Sequence, residues 1–503
     1  MTADVKSPMF ISGGMGVRVS WWPLARIVSI MGGLGVVSGT GLEVVYPRLL
    51  QDGDPGGNVR AAFNELAARQ PSLADGLKDL YGKYYIEGGK APSAPYKPVP
   101  MWRLSRVEGY GTPPDSFWEP SRDLQLMSLA SNFAEVWLAK RDHNGPIGIN
   151  FLRKVERPLP WALYGAMLAG IDYVLVGAGN PYEFPGMIRS LSRHEPASLG
   201  FKVFGATSGS GNFSVLARPA SLGIKGVPNL PQPRFLAIVS SYGLAKALYD
   251  NPGTRPHGFV VEGPEAGGHS APPGKMKFDA SDKQVLAYTD EDRADVPAIA
   301  SIGLPFWLAG TYGTPRKLGE ALAAGAAGVQ FGTLAALSGQ SGFEPSLRAR
   351  TLRMLAAGEL KVVNSHVSPT GFPFKVAQVP GTISDPAVYS KRRRVCDIGL
   401  LAAAYLAPGG KVEFRCPAEP LESFKAKGGR PQNTEGKVCL CNALLAAAGQ
   451  PQLHPDGYSE PGIVTLGEDL TPVKDMLASL PPGQEGYSIG KAIQYLKSGL
   501  KEA

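Results

Sequence analysis

Pro305-Phe306-Trp307-Leu308-Ala309-Gly310-Thr311-Tyr312-Gly313-Thr314-Pro315 is followed a short distance on by Gly328-Val329-Gln330-Phe331-Gly332-Thr333. Each stretch opens with a short apolar run suited to a buried strand and ends in glycine. Between them, Thr314 stands at an N-cap position, Pro315 at the first helical turn, and helical apolar spacing runs on to Ala324. A strand, a helix and a strand in this order form one unit of a parallel sheet.

The same rhythm extends upstream. Strands are predicted at Pro8–Ser12, Leu34–Val37, Pro146–Asn150, Tyr173–Val176, Arg234–Val239 and Phe259–Glu262, with a further one at Phe201–Phe204. Helices are predicted at Trp22–Met31, Ser121–Lys140, Pro160–Ala169, Glu183–His194 and Tyr242–Tyr249. About eight such units imply an α/β chain folded as a closed (β/α)8 TIM barrel, whose strand ends open on one ligand-binding face. A Rossmann sheet fits worse, because no G-x-G-x-x-G follows the first strand with an acid some twenty residues later.

The barrel is expected to span residues 1–340. Its rhythm is interrupted by an inserted excursion near 71–120 and another near 274–298. Residues 341–503 read as an α-rich C-terminal cap, with short helices expected at Asp397–Leu406 and Asn442–Ala448.

Composition agrees with this reading. Glycine (63) and proline (45) make up about a fifth of the 503 residues, against 44% hydrophobic residues. That glycine and proline load exceeds the usual eighth but falls short of low-complexity chains, so bulk disorder is excluded. The net charge of +8 is mild, and its one dense run, Lys391 to Arg394, lacks the aromatic interleaving of a nucleic-acid face. The uncharged stretch Ala321–Phe343 is too rich in glycine and polar residues for a membrane span. No signal peptide is visible, and the expectation is a soluble cytoplasmic protein with no membrane or nucleic-acid partner.

The chemistry-bearing residues sit at the strand ends. The Gly310 loop opens a helix whose free N–H groups suit an anion, and Gly332-Thr333 ends the next strand. Loops after the last two barrel strands often bind phosphate together. His269 follows Gly267-Gly268, and a neutral imidazole there suits a general base. Asn150 offers a planar amide to a heterocycle, and Gly13 to Gly16 let backbone lie against a flat ring. No G-x-S-x-G supports serine hydrolysis, and the Gly209–Gly223 loop lacks a P-loop ending. Cys396, Cys416, Cys439 and Cys441 crowd into one C-terminal window. They read as reduced thiols with no metal, the alternative being a four-thiolate zinc or iron–sulfur site.

Gly13-Gly14-Met15-Gly16, Glu265-Ala266-Gly267-Gly268-His269, the Gly310 loop and Gln330-Phe331-Gly332-Thr333 together resemble the nitronate monooxygenase (2-nitropropane dioxygenase-like) family. The resemblance covers roughly residues 8–338. It implies an FMN-binding TIM barrel in which the Gly310 loop and Gly332-Thr333 hold the phosphate. Gly14, Met15 and Asn150 would lie against the isoalloxazine, with Gln330 supporting the flavin. Gly267 and Gly268 would bring their loop to the cofactor, and His269 would be the base that deprotonates a nitroalkane for oxidation by O2. The insertions and the long cap depart from compact members of that family. They point to the alternative, an NAD(P)H-dependent FMN enoyl-thioester reductase of the kind that acts in trans on polyunsaturated fatty acid synthases, with an acyl carrier protein as partner. Such reductases carry a similar Gly-Gly-His, so His269 does not discriminate. A third reading is a flavin-binding module without catalysis.

Overall fold

The computed structural model describes residues 7–275, 277–278 and 284–500. Eight short parallel strands carry the fold: β1 (Phe10–Ser12), β2 (Gly35–Ser38), β3 (Ile147–Leu152), β4 (Tyr173–Gly177), β5 (Arg234–Val239), β6 (Gly258–Glu262), β7 (Phe306–Ala309) and β8 (Gly328–Phe331). Each pairs with its neighbour in order, and β8 pairs with β1, Ile11 opposite Gln330. The last seam is closed where Ile11 bridges Leu34, with the Leu34 N–H donating to the Phe10 carbonyl at 2.7 Å. The sheet is therefore a closed (β/α)8 barrel.

Alternate residues on these strands point inward. Ile11, Val36, Leu175, Leu236, Val260 and Trp307 form the barrel interior. Trp307 plugs the bottom, its indole N–H donating to the Pro8 carbonyl at 2.6 Å. Gly35 is required on β2 because a Cβ there would lie 1.8 Å from the Ala25 carbonyl oxygen, the backbone of the first helix.

Around the barrel run α1 (Trp22–Ile30), α2 (Arg122–Lys140), α3 (Leu159–Leu168), α4 (Phe184–Ser192), α5 (Tyr242–Asp250), α6 (Val296–Ala300) and α7 (Pro315–Ala323). The eighth position in the ring is filled from the far end of the chain. There α8 (Ile489–Ser498) packs against both α1 and α7. Thr314 caps α7 through its hydroxyl, which accepts from the Lys317 N–H at 3.2 Å, with Pro315 in the first turn. No described helix is long and apolar enough to cross a membrane, and Ala321–Phe343 divides into the end of α7, β8 and a short helix.

Two expected elements differ. The Phe201–Phe204 segment is not a barrel strand; only Val203–Phe204 is extended, pairing with Ala403–Leu406 outside the barrel. Asp397–Leu406 is not a helix. Its Ala403–Leu406 half is a strand, folded back antiparallel onto Val412–Arg415 around Pro408-Gly409-Gly410. The alanine-rich run has helical propensity, but proline and two left-handed glycines stop a helix and close a hairpin.

Residues 71–120 form a helix (Ala74–Tyr84), an irregular stretch, and two strands that join Ala197–Gly200 and Phe213–Ala217 in a four-stranded sheet beside the barrel. In the segment expected as a second insertion, residues 276 and 279–283 lie outside the described residues. Lys277–Phe278 and Gln284–Val285 pair antiparallel there.

One buried carboxyl gives the fold a pH signature. Glu43 is 0% exposed and neither carboxyl oxygen has a hydrogen-bond partner. Burial pushes its pKa from an ordinary 4.5 up to about 7. The unfolded chain therefore releases this proton at lower pH than the folded one, and stability falls as pH rises from 4.5 through 7. At roughly 1.4 kcal/mol per pH unit the cost at pH 8 is about 3 kcal/mol. Glu43→Gln should raise stability by about that amount at pH 8 and hardly at all at pH 4, as read by urea unfolding at the two pH values.

Candidate active site

All eight strand ends open onto one cavity of about 230 Å³. Its floor comes from the barrel. Gly13 to Gly16 follow β1, Asn150 lies in β3, Glu262 ends β6, Ala309-Gly310 ends β7, and Gln330 with Gly332-Thr333 ends β8. Gly14, Met15, Asn150, Gly267, Gly268, His269, Gly310, Gln330, Gly332 and Thr333 all line it. Every cofactor-binding and catalytic residue expected from sequence is thus brought to one place, with Cys441 alone of the cysteines.

The floor is built for close approach and left unsatisfied. A Cβ on Gly14 would fall 2.1 Å from the Asn150 Cβ, so the first loop lies directly on that side chain. Asn150 Nδ2 donates to the Gly14 carbonyl at 3.2 Å, while its Oδ1 is buried without a partner. The Oε1 of Gln330 is likewise buried and unpartnered. Two orphaned amide oxygens in a glycine-lined cavity leave its wall able to accept hydrogen bonds from a polar group that enters it. Gly310, which lines the cavity, adopts a φ of 106°, a conformation that other residues rarely reach.

His269 is fixed by a segment from the C-terminal part of the chain. Gly268, at φ 80°, turns the loop so that His269 pairs antiparallel with Phe374. The His269 Nε2 lies 2.7 Å from the Ser368 hydroxyl, which in turn contacts the Thr370 hydroxyl at 2.8 Å. Phe374 packs edge-on against the imidazole at 4.8 Å. Burial, then the positive charge of Lys154, holds the imidazole pKa down at about 3. Lys154 is itself lowered by burial to about 7 and lies over the Phe372 ring. His269 is therefore a neutral imidazole throughout the neutral range, and its pKa is poorly matched to general-base work there.

The roof comes from beyond residue 340. Phe343, Phe374, Leu400, Leu401, Leu444 and Leu466 give it an apolar surface. Arg157 anchors part of it, its buried guanidinium donating to the carbonyls of Trp102, Gly399, Leu400 and Ala402. Thr465–Glu468 is laced across the floor loops. The Gly268 N–H donates to Thr465 Oγ1 at 3.0 Å, the Gly467 N–H to Thr333 Oγ1 at 2.9 Å, and the Glu468 N–H to the Glu265 carbonyl at 3.0 Å. Thr465–Gly467 and Glu262 were not among the expected site residues; no local signal marks the first, and the second stands at the end of an apolar strand.

The cysteine segments converge beside this roof. Arg394 donates to the Pro417 carbonyl at 2.6 Å, and Asn442 to the Asp397 carboxylate at 2.7 Å, drawing the three segments together. All four cysteines are free, and burial pushes the Cys396 thiol up to about 12. Among the described residues no group of three or more His, Cys, Asp or Glu is placed to hold a metal ion. Cys441 lines the cavity itself.

No family model matches the chain. A curated protein of Mycobacterium tuberculosis (strain ATCC 25618 / H37Rv), named (3aS,4S,5R,7aS)-5-hydroxy-7a-methyl-1-oxo-octahydro-1H-indene-4-carboxyl-CoA dehydrogenase, is 27% identical over 253 residues. That match takes in 48% of this chain and spans 63% of the relative's length. Among solved structures, FabK from Thermotoga maritima gives a TM-score of 0.46 at 15% identity, over 99% of this chain and 93% of that one. The nitroalkane oxidase from Streptomyces ansochromogenes gives 0.42 at 14% identity, over 99% and 97%. The enoyl reductase domain of MlnA from the macrolactin cluster of Bacillus amyloliquefaciens gives 0.45 at 11% identity, over 98% and 95%. At such scores and identities, the functional reading rests on the site.

Proposed function

We propose that this chain is an FMN-dependent oxidoreductase of the 2-nitropropane dioxygenase-like group, acting on the α,β-carbons of an apolar acyl thioester. One observation carries the reading: a glycine-lined floor with two unpartnered amide oxygens lies beneath a roof of leucines and phenylalanines. The floor suits a flat polar cofactor and the roof suits a bulky apolar acyl group. The Mycobacterium tuberculosis relative, whose name makes it a dehydrogenase of a fused-ring carboxyl-CoA, supports a thioester over a small nitro compound.

In this reading Gly14, Met15, Asn150 and Gln330 would hold the ring system, with the two amide oxygens free to accept hydrogen bonds from it. Gly310, Gly332 and Thr333 present backbone N–H groups and a hydroxyl to the phosphate. Gly267 and Gly268 would lie against the cofactor. Bound FMN supplies hydride transfer. His269, neutral and oriented by Ser368, hydrogen-bonds the carbonyl oxygen of the substrate, on which negative charge develops. The roof excludes water from the reacting carbons.

Oxidation of nitronates by O2, the other reading of the same motifs, needs the same floor but leaves the large apolar roof without a purpose. Anaerobic titration decides between them. NADPH or NADH should bleach the flavin of the full chain, and an enoyl-CoA should restore its colour. Bleaching by ethyl nitronate alone, with none by either nicotinamide, would return the chain to the nitronate reading. A protein purified without flavin and unable to bind added FMN would overturn both.

A further inference from the structure

The cavity holds a carboxyl that the reading above leaves unused. Glu262 is the last residue of β6, opposite Ala309 at the end of β7, and it lines the cavity. Catalytic groups of barrel enzymes stand at such strand ends. The loop that leaves it, Gly263 to Ser270, delivers His269 to the same space.

A buried cation, Lys375, is tied to the same loop that leaves Glu262. Lys375 is 0% exposed, and its ammonium donates to the Pro264 carbonyl at 2.6 Å and lies 3.4 Å from Glu468. Its Nζ also sits 5.3 Å from the centre of the Tyr288 ring. Its backbone N–H donates to the Gly268 carbonyl at 3.1 Å, so the lysine is locked to the loop of His269. A buried lysine is costly unless a nearby anion needs it. Glu468 is 40% exposed on its outer side, and Glu265 is engaged by Arg293. Glu262 is the carboxyl that faces the cavity.

The charges around Glu262 are few. Lys375 alone acts on it directly, with Glu265, Arg293 and Glu468 beyond. His269 is neutral, and Lys154 stands beside it. Burial, opposed only by Lys375, pushes the Glu262 carboxyl up to about 7. A base near the working pH is what proton abstraction from carbon requires, and His269 does not offer one.

We propose that Glu262 is the acid–base residue of this cavity, with Lys375 positioning its charge. The inference rests on the oxidoreductase reading given above. In the step assigned to it, the Cα–H bond of the substrate breaks and an O–H bond forms on the Glu262 carboxyl. The electron pair stays on the substrate as an enolate, whose oxygen is within the reach assigned to His269. In the reductive direction the same proton returns to Cα.

The test uses the full chain and two readouts. Without flavin, infrared spectra taken from pH 5 to 9 should show a carboxyl C=O band that titrates near neutrality and is missing in Glu262→Gln; bands of other buried carboxyls remain in both. Glu468→Gln removes the counter-charge of Lys375 and should lower that midpoint. Lys375→Met should raise it, by about one pH unit. With FMN bound, exchange of the C2 protons of butyryl-CoA in D2O, followed by NMR, should fall by roughly 100-fold in Glu262→Gln. FMN affinity should stay within a few-fold of the parent. Absence of the band, a midpoint unmoved by both neighbours, or unchanged exchange would each overturn the proposal. Should the parent exchange neither butyryl-CoA nor nitroethane while its Glu262 band titrates as described, it is the oxidoreductase reading that fails, and the catalytic role of Glu262 falls with it. The titrating carboxyl then stands as a property of the fold.

Discussion

Gly14→Val should yield a folded protein that no longer retains flavin. The Cβ it introduces would lie 2.1 Å from the Asn150 Cβ and 2.8 Å from its Cγ, atoms near the backbone that cannot swing away. The hydrogen bond from Asn150 to the Gly14 carbonyl resists lifting of the loop. Relief must come from the loop itself, which carries Met15 and Gly16 along the cavity wall. Overpacking of this kind costs about 1–3 kcal/mol of stability, and the lifted loop also fills the space the cofactor needs. FMN dissociation constants should rise at least about 100-fold, equivalent to about 3 kcal/mol. Absorbance of the purified protein and quenching of added FMN fluorescence measure this directly. Gly82→Ala is the control, because a Cβ there meets nothing within 4 Å. Parent-like flavin binding by Gly14→Val would remove the first barrel loop from the cofactor site.

The barrel was readable because each of its strands is short, apolar and ended by a turn residue. Arg234–Val239 and Gly328–Phe331 occur as expected to the residue. The floor was readable for the same reason, since glycines at strand ends are local signals. The roof was not. Leu400, Leu401 and Leu466 come from short irregular segments with no period to mark a buried face, and Leu444 from a short helix whose apolar residues run all round it. Glu262 carries only a weak local signal, an acid at the end of an apolar strand, and Lys375, the charge that opposes its burial, lies far along the chain. The helix expected at Asp397–Leu406 failed because a hairpin with Val412–Arg415 and pairing with Val203–Phe204 outweigh the propensity of alanine. Helix α8 shows the same limit at larger scale: its apolar stripe was legible, but not its place in the barrel ring.

His269→Gln should keep its flavin and lose most of its turnover. The imidazole meets Ser368 through Nε2, leaving the rest of the ring toward the cavity that the proposed substrate enters. A preorganised neutral donor at a developing oxyanion contributes about 100- to 1,000-fold, and kcat should fall by that order with FMN affinity little changed. The pH profile of kcat in the parent should show no inflection from this residue between pH 5 and 9, because its pKa is held at about 3. Stability gives an independent check of the same burial. The unfolded chain takes up this proton near 6.5 and the folded chain only near 3, so the folded state loses stability as pH falls below 6.5. At roughly 1.4 kcal/mol per pH unit, the parent should lose about 3 kcal/mol at pH 4 from His269 alone. Glutamine does not charge, so the variant should unfold less readily than the parent at pH 4 and match it more closely at pH 8. A variant that loses turnover without this gain in acid resistance would mean that His269 is solvated and titrates within the working pH range, near its ordinary value of 6.5. The neutral-donor role would then give way to a general-base one.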